Sequence, residues 1–499
     1  MMKGALSVVI LLSASAATAS GQLISIRTVP VSQAHQFEIF PSQTLAMGGV
    51  SIAVTDSLLD PFSNPATGTR IGPTRFFSSP GLYSVSSEAG AGRTLPLGAL
   101  ARADSWYGGF WLALQEVDRS EQAGFPQPLF FQCPACVAQG IDVSRGDQSH
   151  GNTYAFALVG KELSPGISIG GSVLWSGLNA IDGVDLLYAG SARIDQSGHA
   201  LDVRLGLLKE WAGARSLEAV LLHNRFRTAH DVMYLDQFWD PATQQFAQRP
   251  RLEQNLDRTN TWGLHLGYEQ PLAATAWRVG WIATVNRMDH PKIPNYAIMN
   301  IPRDPGNSSA FNFGVGIART QAASTFAVDV IYEPIWSHTW ADAEAPMENR
   351  LGETIPAGGM TIENRFRFSN ALLRMGIGQE LVLGETGPVG GLQLGLSVRN
   401  THYWLDQHDH IQVSDRSHEE RWWEWTPTWG LSLAFPGFDV RYRGSVTHGT
   451  GRPGVARAAG PVLQDVAVRS NILAAPSGPL TLDEVRVVTH QISLSLPLR

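Results

Sequence analysis

Two stretches of this 499-residue chain carry side chains whose types and spacing could do chemistry. Cys133-Pro134-Ala135-Cys136 holds both of its cysteines. Thiols at that spacing serve redox exchange or half of a tetrahedral zinc site, but no second pair exists to complete the zinc. Behind an export leader the same spacing more often closes a local disulfide. The second stretch gathers His402, Asp406, His408, Asp409, His410, Asp415 and His418. His408-Asp409-His410 offers donors for a divalent cation, yet exposed loops rich in His and Asp are more often simply solvated, and no metal is assigned. G-x-S-x-G, H-E-x-x-H and phosphate-loop patterns are all missing, so neither a catalytic residue nor a cofactor is expected.

The elements that must hold these residues begin behind a leader. Lys3, the apolar run Ala5–Leu12 and the small-residue exit Ala17-Thr18-Ala19 read as a signal peptide over 1–19. Residues 20–72 then form an amino-terminal segment and 73–499 a single body. Glycine (50) and tryptophan (15) are abundant and charged residues make up only 16%. No internal apolar run reaches the ~18 residues of a membrane helix. A net charge of −7 without a basic stripe argues against nucleic acid as a partner.

Period-two alternation decides between a soluble sandwich and a membrane barrel. Trp262, Leu264, Leu266 and Tyr268 alternate with Gly263, His265 and Gly267; Trp277, Val279 and Trp281 alternate with Arg278 and Gly280. Phe311–Ala318 and Leu392–Arg399 repeat the pattern. One face is apolar with aromatic ends, while the other is small or polar and lacks the Lys and Glu of a solvated sheet. Transmembrane barrels require that inversion. Short links such as Ser164-Pro165-Gly166 alternate with long segments at about Val117–His150, Thr228–Leu256, Asp289–Ser309, Ser337–Met360 and Gly449–Glu484. The fold class is therefore all-β, a transmembrane antiparallel β-barrel in a bacterial outer membrane. Sixteen stretches alternate; the first two, 74–84 and 92–101, can belong to a plug region, so about 14 strands are favoured and 16 allowed. A barrel of that size is too wide for its own side chains to fill.

Thr44–Ala66 is the stretch available to fill it. Ala46-Met47-Gly48-Gly49-Val50, then Asp56, then Asn64-Pro65-Ala66 resembles the amino-terminal signature of FadL-like outer-membrane proteins and their PorV/PorQ-like relatives. The resemblance implies a hatch inside the lumen, with Gly48, Gly49, Asp56, Asn64 and Pro65 as hatch or gating residues. Asp56 would need partners from the wall, for which Arg204, Arg278 and Arg399 are candidates. Gly108-Gly109 marks an early strand where a bend could make a lateral opening. The FadL-like branch implies passive uptake of a hydrophobic small molecule of the fatty-acid or hydrocarbon type. The PorV-like branch implies an anchor or shuttle for a secreted protein. In either case outer-membrane lipid surrounds the wall.

Overall fold

The computed structural model describes residues 36–72, 74–86, 90–118, 149–181, 193–240, 244–272, 275–289, 306–343, 345–382, 388–453 and 482–498. The leader and the Cys133/Cys136 pair lie outside them.

Sixteen antiparallel strands form the wall. They are β1 (Arg75–Ser78 continuing as Gly81–Val85), β2 (Ala91–Ala103), β3 (Trp106–Asp118), β4 (Ser149–Ser164), β5 (Ile167–Gly177), β6 (Arg193–Trp211), β7 (Arg215–Asp240) and β8 (Gln245–Pro271). The second half comprises β9 (Trp277–Asp289), β10 (Gly306–Gln321), β11 (Ser324–Asp342), β12 (Met360–Val382), β13 (Val389–Asp409), β14 (Ser414–Ala434), β15 (Asp439–Pro453) and β16 (Leu482–Pro497). Both pieces of β1 pair with β2 on one side and β16 on the other, so the sheet closes on itself and no edge remains. The interruption falls at Ser79-Pro80, where proline has no N–H to give the ladder. The count is the upper of the two expected, because the first two alternating stretches are wall strands.

Alternation sorts the faces as the sequence suggests. Leu112, Leu114, Val159, Leu205, Leu221 and Phe313 are exposed on the outside. Next to the short turns, Trp106 and Trp211 also face out, with Lys161 and Lys209 over their rings at 4.9 and 5.9 Å. Trp262, Trp336, Trp404 and Trp423 are exposed farther up the strands. Aromatic bodies with polar tips at two levels are what two lipid–water boundaries select. A charged residue on a lipid-facing position near the bilayer middle would cost ~2–4 kcal/mol, which accounts for the apolar band. No described helix is long and apolar enough to cross a membrane.

The segments read as long loops are partly strand. Thr228–Leu256 contains the upper halves of β7 and β8, which run 26 and 27 residues and stay paired up to Asp240↔Gln245. These strands outlast the ~9–11 residues a tilted strand needs to cross a bilayer. Their polar composition marks strand continued into water rather than loop.

Candidate functional site

The inside of the barrel is occupied by residues 36–72. Their ordered pieces are a 3-10 turn at Leu45–Met47, one helical turn at Asp60–Ser63 and a 3-10 helix at Pro65–Arg70. Val50 and Ala66 are fully buried. The stretch touches the wall on opposite sides of the ring. Leu45–Met47 packs against β12, β13 and β14, and Pro65–Arg70 against β4, β5 and β6.

Glycines on the inner face make room for it. A Cβ on Gly376 would lie 2.3 Å from the Met47 carbonyl oxygen, on Gly395 2.1 Å from the Gly48 nitrogen, and on Gly280 2.2 Å from the Ile52 oxygen. Gly170 and Gly206 likewise seat Pro65 and Asn64. The small inner face seen in the alternation is thus a set of backbone-to-backbone seats. Gly48 and Gly49 answer them from the segment's side. Both adopt left-handed backbone (φ 73° and 74°), and a Cβ on Gly48 would meet the Met375 oxygen at 2.7 Å.

Polar wall groups fill the bonds that the non-repetitive segment leaves open, because a buried backbone group without a partner costs ~1–3 kcal/mol. Asp329 accepts from Ser51 N at 2.7 Å and Ile52 N at 3.2 Å. Thr428 accepts from Gly48 N and donates to Ala46 O. Arg204 donates to the carbonyls of Phe62 and Ser63 while paired with Asp202 at 2.7 Å. Gln393, Arg102 and Gln115 donate to the carbonyls of Gln43, Thr69 and Gln36, and Arg443 pairs with Glu38 at 2.7 Å. Tyr107 Oη points between the carbonyls of Ala66 and Ile169, at 3.2 and 2.7 Å.

Asp56 corrects the expected wall partnership. It is buried, but Arg278 pairs with Glu269 and Arg399 with Glu333, and Arg204 reaches the segment through carbonyls instead. The Asp56 carboxylate is satisfied from within the segment. Oδ2 accepts from Ser42 Oγ at 2.6 Å, Gln43 N at 2.7 Å and both Thr44 N and Oγ1 at 3.2 Å; Oδ1 accepts from Leu58 N and Leu59 N at 3.1 Å. It ties one arm of the segment to the start of its helical turn. Asn64 instead bridges segment and wall, accepting from Ala66 N at 3.0 Å and donating to Glu218 of β7 at 3.0 Å, while Pro65 starts the helix behind it.

Gly108-Gly109 is a second correction. β3 keeps one register through both glycines to β2 and to β4, without a bulge. Gly109 is small because Leu100 and Ala99 O close in at 2.5 and 2.6 Å, and Gly108 faces Leu158 O at 3.1 Å. Register shifts among the described residues fall instead at Glu162/Ser164, Ala341/Asp342 and Thr447/Thr450.

Between the segment and β6–β9 lies a cavity of about 140 Å³ lined by Asp60, Arg70, Arg204, Glu218, His265 and Thr284 among others. Arg70 pairs with Glu210 at 3.0 Å and Glu218 at 3.2 Å, leaving Asp60 at 4.0 Å. Burial, with Asp56 and Glu218 nearby, holds the Asp60 carboxyl well above the usual carboxylate range, partly offset by Arg70. A carboxyl whose folded pKa is raised adds stability as pH falls through that pKa and loses it as pH rises. Asp60→Asn is therefore expected to tighten packing of residues 36–72 at neutral pH and to flatten its pH dependence, measured as protease cleavage of the segment between pH 5 and 8. Equal cleavage profiles for both proteins would contradict this.

Higher in the lumen, Phe366, Phe368, Tyr403 and Leu405 form a buried cluster with Met288 and Ile335, and Trp422 stacks on Tyr403 at 5.6 Å. These residues share the inward parity of Asn364 and Gln407, while Arg365, Arg367 and Trp404 of the same strands face out. The histidines take separate partners. His408 bonds Asp415 at 2.7 Å, His402 bonds Glu419 at 2.9 Å, and His410 stacks edge-on to His408 at 4.4 Å. Among the described residues no three such groups converge on one point.

Sequence reasoning missed Asp329, Thr428 and the inward aromatic cluster. Asp329 was findable, as a lone acid inside Phe326-Ala327-Val328-Asp329-Val330-Ile331 has to face the lumen.

No protein-family model and no curated protein matches the chain. Solved structures that resemble it include a Pseudomonas aeruginosa FadL homologue, at 10% identity and TM-score 0.42 over 92% of this chain and 99% of that one. The CymD monoaromatic hydrocarbon channel matches at 9% and 0.38 over 91% and 97%. The ferric enterobactin receptor PfeA matches at 9% and 0.32 over 85% and 81%. Likeness of that degree carries no weight on function, and the fold rests on the strand register itself.

Proposed function

We propose that the chain is a bacterial outer-membrane barrel for passive uptake of hydrophobic small molecules of the fatty-acid or hydrocarbon type, with residues 36–72 as its hatch. The observation that carries this reading is the inward aromatic cluster of Phe366, Phe368, Tyr403 and Trp422 above a filled lumen. A water-conducting channel has a polar interior, whereas this inward cluster is apolar, with part-exposed Trp422 at its edge as the surface a hydrophobic molecule would meet. With β3 unbroken at Gly108-Gly109, passage runs past a displaced hatch towards the short-turn end. Gly48, Gly49, Asp56, Asn64 and Pro65 set how readily the hatch moves.

Trp422→Ala removes half of an aromatic pair worth ~0.5–1.5 kcal/mol beyond its buried area. Uptake of labelled oleate or toluene into vesicles is expected to fall about two- to tenfold, with the barrel still folded. Unchanged uptake of both probes would remove the cluster from the path.

One feature favours the PorV-like alternative of an anchor for a secreted protein. Leu252 and Leu256 are exposed on the β7–β8 hairpin, well along strands longer than the membrane requires. Loss of partner recovery on Leu252→Asp, with uptake intact, would support that role.

A further inference from the structure

On the outside of the wall, β1, β2, β3, β15 and β16 share a groove of about 500 Å³. We infer that it binds one phosphorylated acyl lipid of the outer leaflet, with the phosphate held by Arg93 and His490 and an acyl chain along the strands below. The inference rests on the outer-membrane reading.

Strand register arranges the lining in two rows. Glu116, Arg93, Leu82 and His490 are successive cross-strand partners and form a largely polar row. One pleat lower come Leu114 and Leu95, then Pro80, then Ile492 and Tyr442. Leu114, Leu95 and Ile492 are exposed, so the lower row is apolar and open to lipid. The break in β1 helps to shape it, since Pro80 gives the ladder only its carbonyl, which accepts from Ile492 N at 2.9 Å.

The polar row retains unused donors. Arg93 gives its Nε to Glu116 at 2.6 Å, its side chain is 68% exposed, and among the described residues both terminal amino groups are left over. His490 bonds Tyr442 Oη through Nδ1 at 2.8 Å, and among the described residues Nε2 has no partner. Neighbouring strands lie ~4.8 Å apart, so these two residues flank Leu82 at ~10 Å and can converge on one phosphate.

Height places the Glu116–Arg93 end of the row at the lipid–water boundary, with His490 set deeper on β16. β2 and β3 run only 13 residues, against 26 and 27 for β7 and β8. Little more than the ~11 residues of a crossing strand is available here, so Arg93 and Glu116, near the long-loop ends of β2 and β3, lie at headgroup level. A polar row over an apolar one, at that height and on the lipid side, has the chemistry of a lipid headgroup above its chain.

The test uses the full chain in detergent micelles, with native mass spectrometry counting retained dioleoylphosphatidic acid against dioleoylglycerol, which has the same chains and no phosphate. Retention of the phosphatidic acid should exceed that of the diacylglycerol about tenfold. Arg93→Gln and His490→Leu should each lower it several-fold without changing the diacylglycerol, while Leu95→Trp, which fills the groove, should lower both. Equal retention of the two lipids, or indifference to Arg93→Gln, overturns the inference. Insertion is read separately from migration in unheated and heated gels after reconstitution. A chain that never inserts defeats the membrane reading, whereas an inserted barrel without lipid preference defeats only this site.

Discussion

Excising Thr44–Ala66 is expected to turn the closed barrel into a steady ion pathway in planar bilayers. A sixteen-stranded wall encloses a lumen wide enough for an aqueous channel unless something fills it. The excised stretch includes the backbone seated on Gly376, Gly395, Gly280, Gly170 and Gly206. Its removal leaves those glycines, together with Asp329, Arg204 and Thr428, facing water, which polar lumen groups tolerate. The sixteen-strand ladder contains no residue of the stretch, so the wall should still fold. A single-channel record as quiet as that of the intact protein would show that residues 44–66 do not close the pathway.

Asp56→Ala should have the largest effect of any single substitution inside the segment. It removes an acceptor shared by Ser42, Gln43, Thr44, Leu58 and Leu59. Buried N–H groups cannot find other partners where no water reaches, so the loss is about 3–5 kcal/mol of segment stability. Because none of these bonds goes to the wall, barrel stability should barely change. The expected phenotype is an intact, heat-modifiable barrel whose inner segment is cut readily by protease and whose conductance flickers. Asp56→Asn keeps one acceptor oxygen and should fall between. A barrel that melts with the segment would mean that Asp56 supports the wall after all.

The two corrections have one physical origin. Asp56 was expected to find an Arg or hydrogen bonds on the barrel wall because a lone buried acid must be compensated, and that premise holds. What satisfied it was backbone N–H and hydroxyl groups from a chain that folds back on itself, and such groups are present in every sequence. Gly108-Gly109 was expected to bend its strand because glycine permits it. Here the glycines serve close packing against Leu100 and Leu158, a demand set by neighbouring strands that cannot be seen along β3 alone. The aromatic cluster of Phe366, Phe368, Tyr403 and Trp422 eluded the sequence reading for a related reason. Adjacent Trp422 and Trp423 must face opposite ways on a strand, but which of them meets Tyr403 depends on the pairing of β13 with β14.

Taken alone, the sequence determined the class of the fold, the inversion of its faces and the stretch that is not wall. Each of these is written in period two or in a local break from it, and the pleat converts that period directly into inside and outside. Tertiary structure decided the closure at sixteen strands, the seats on the lumen glycines, the self-contained bonding of Asp56 and the two-row groove at Arg93 and His490. The closure, the seats and the groove join residues far apart in the chain that only the ring bringing β1 against β16 places together, whereas the Asp56 bonds span 2 to 14 positions and depend on how the segment reverses on itself.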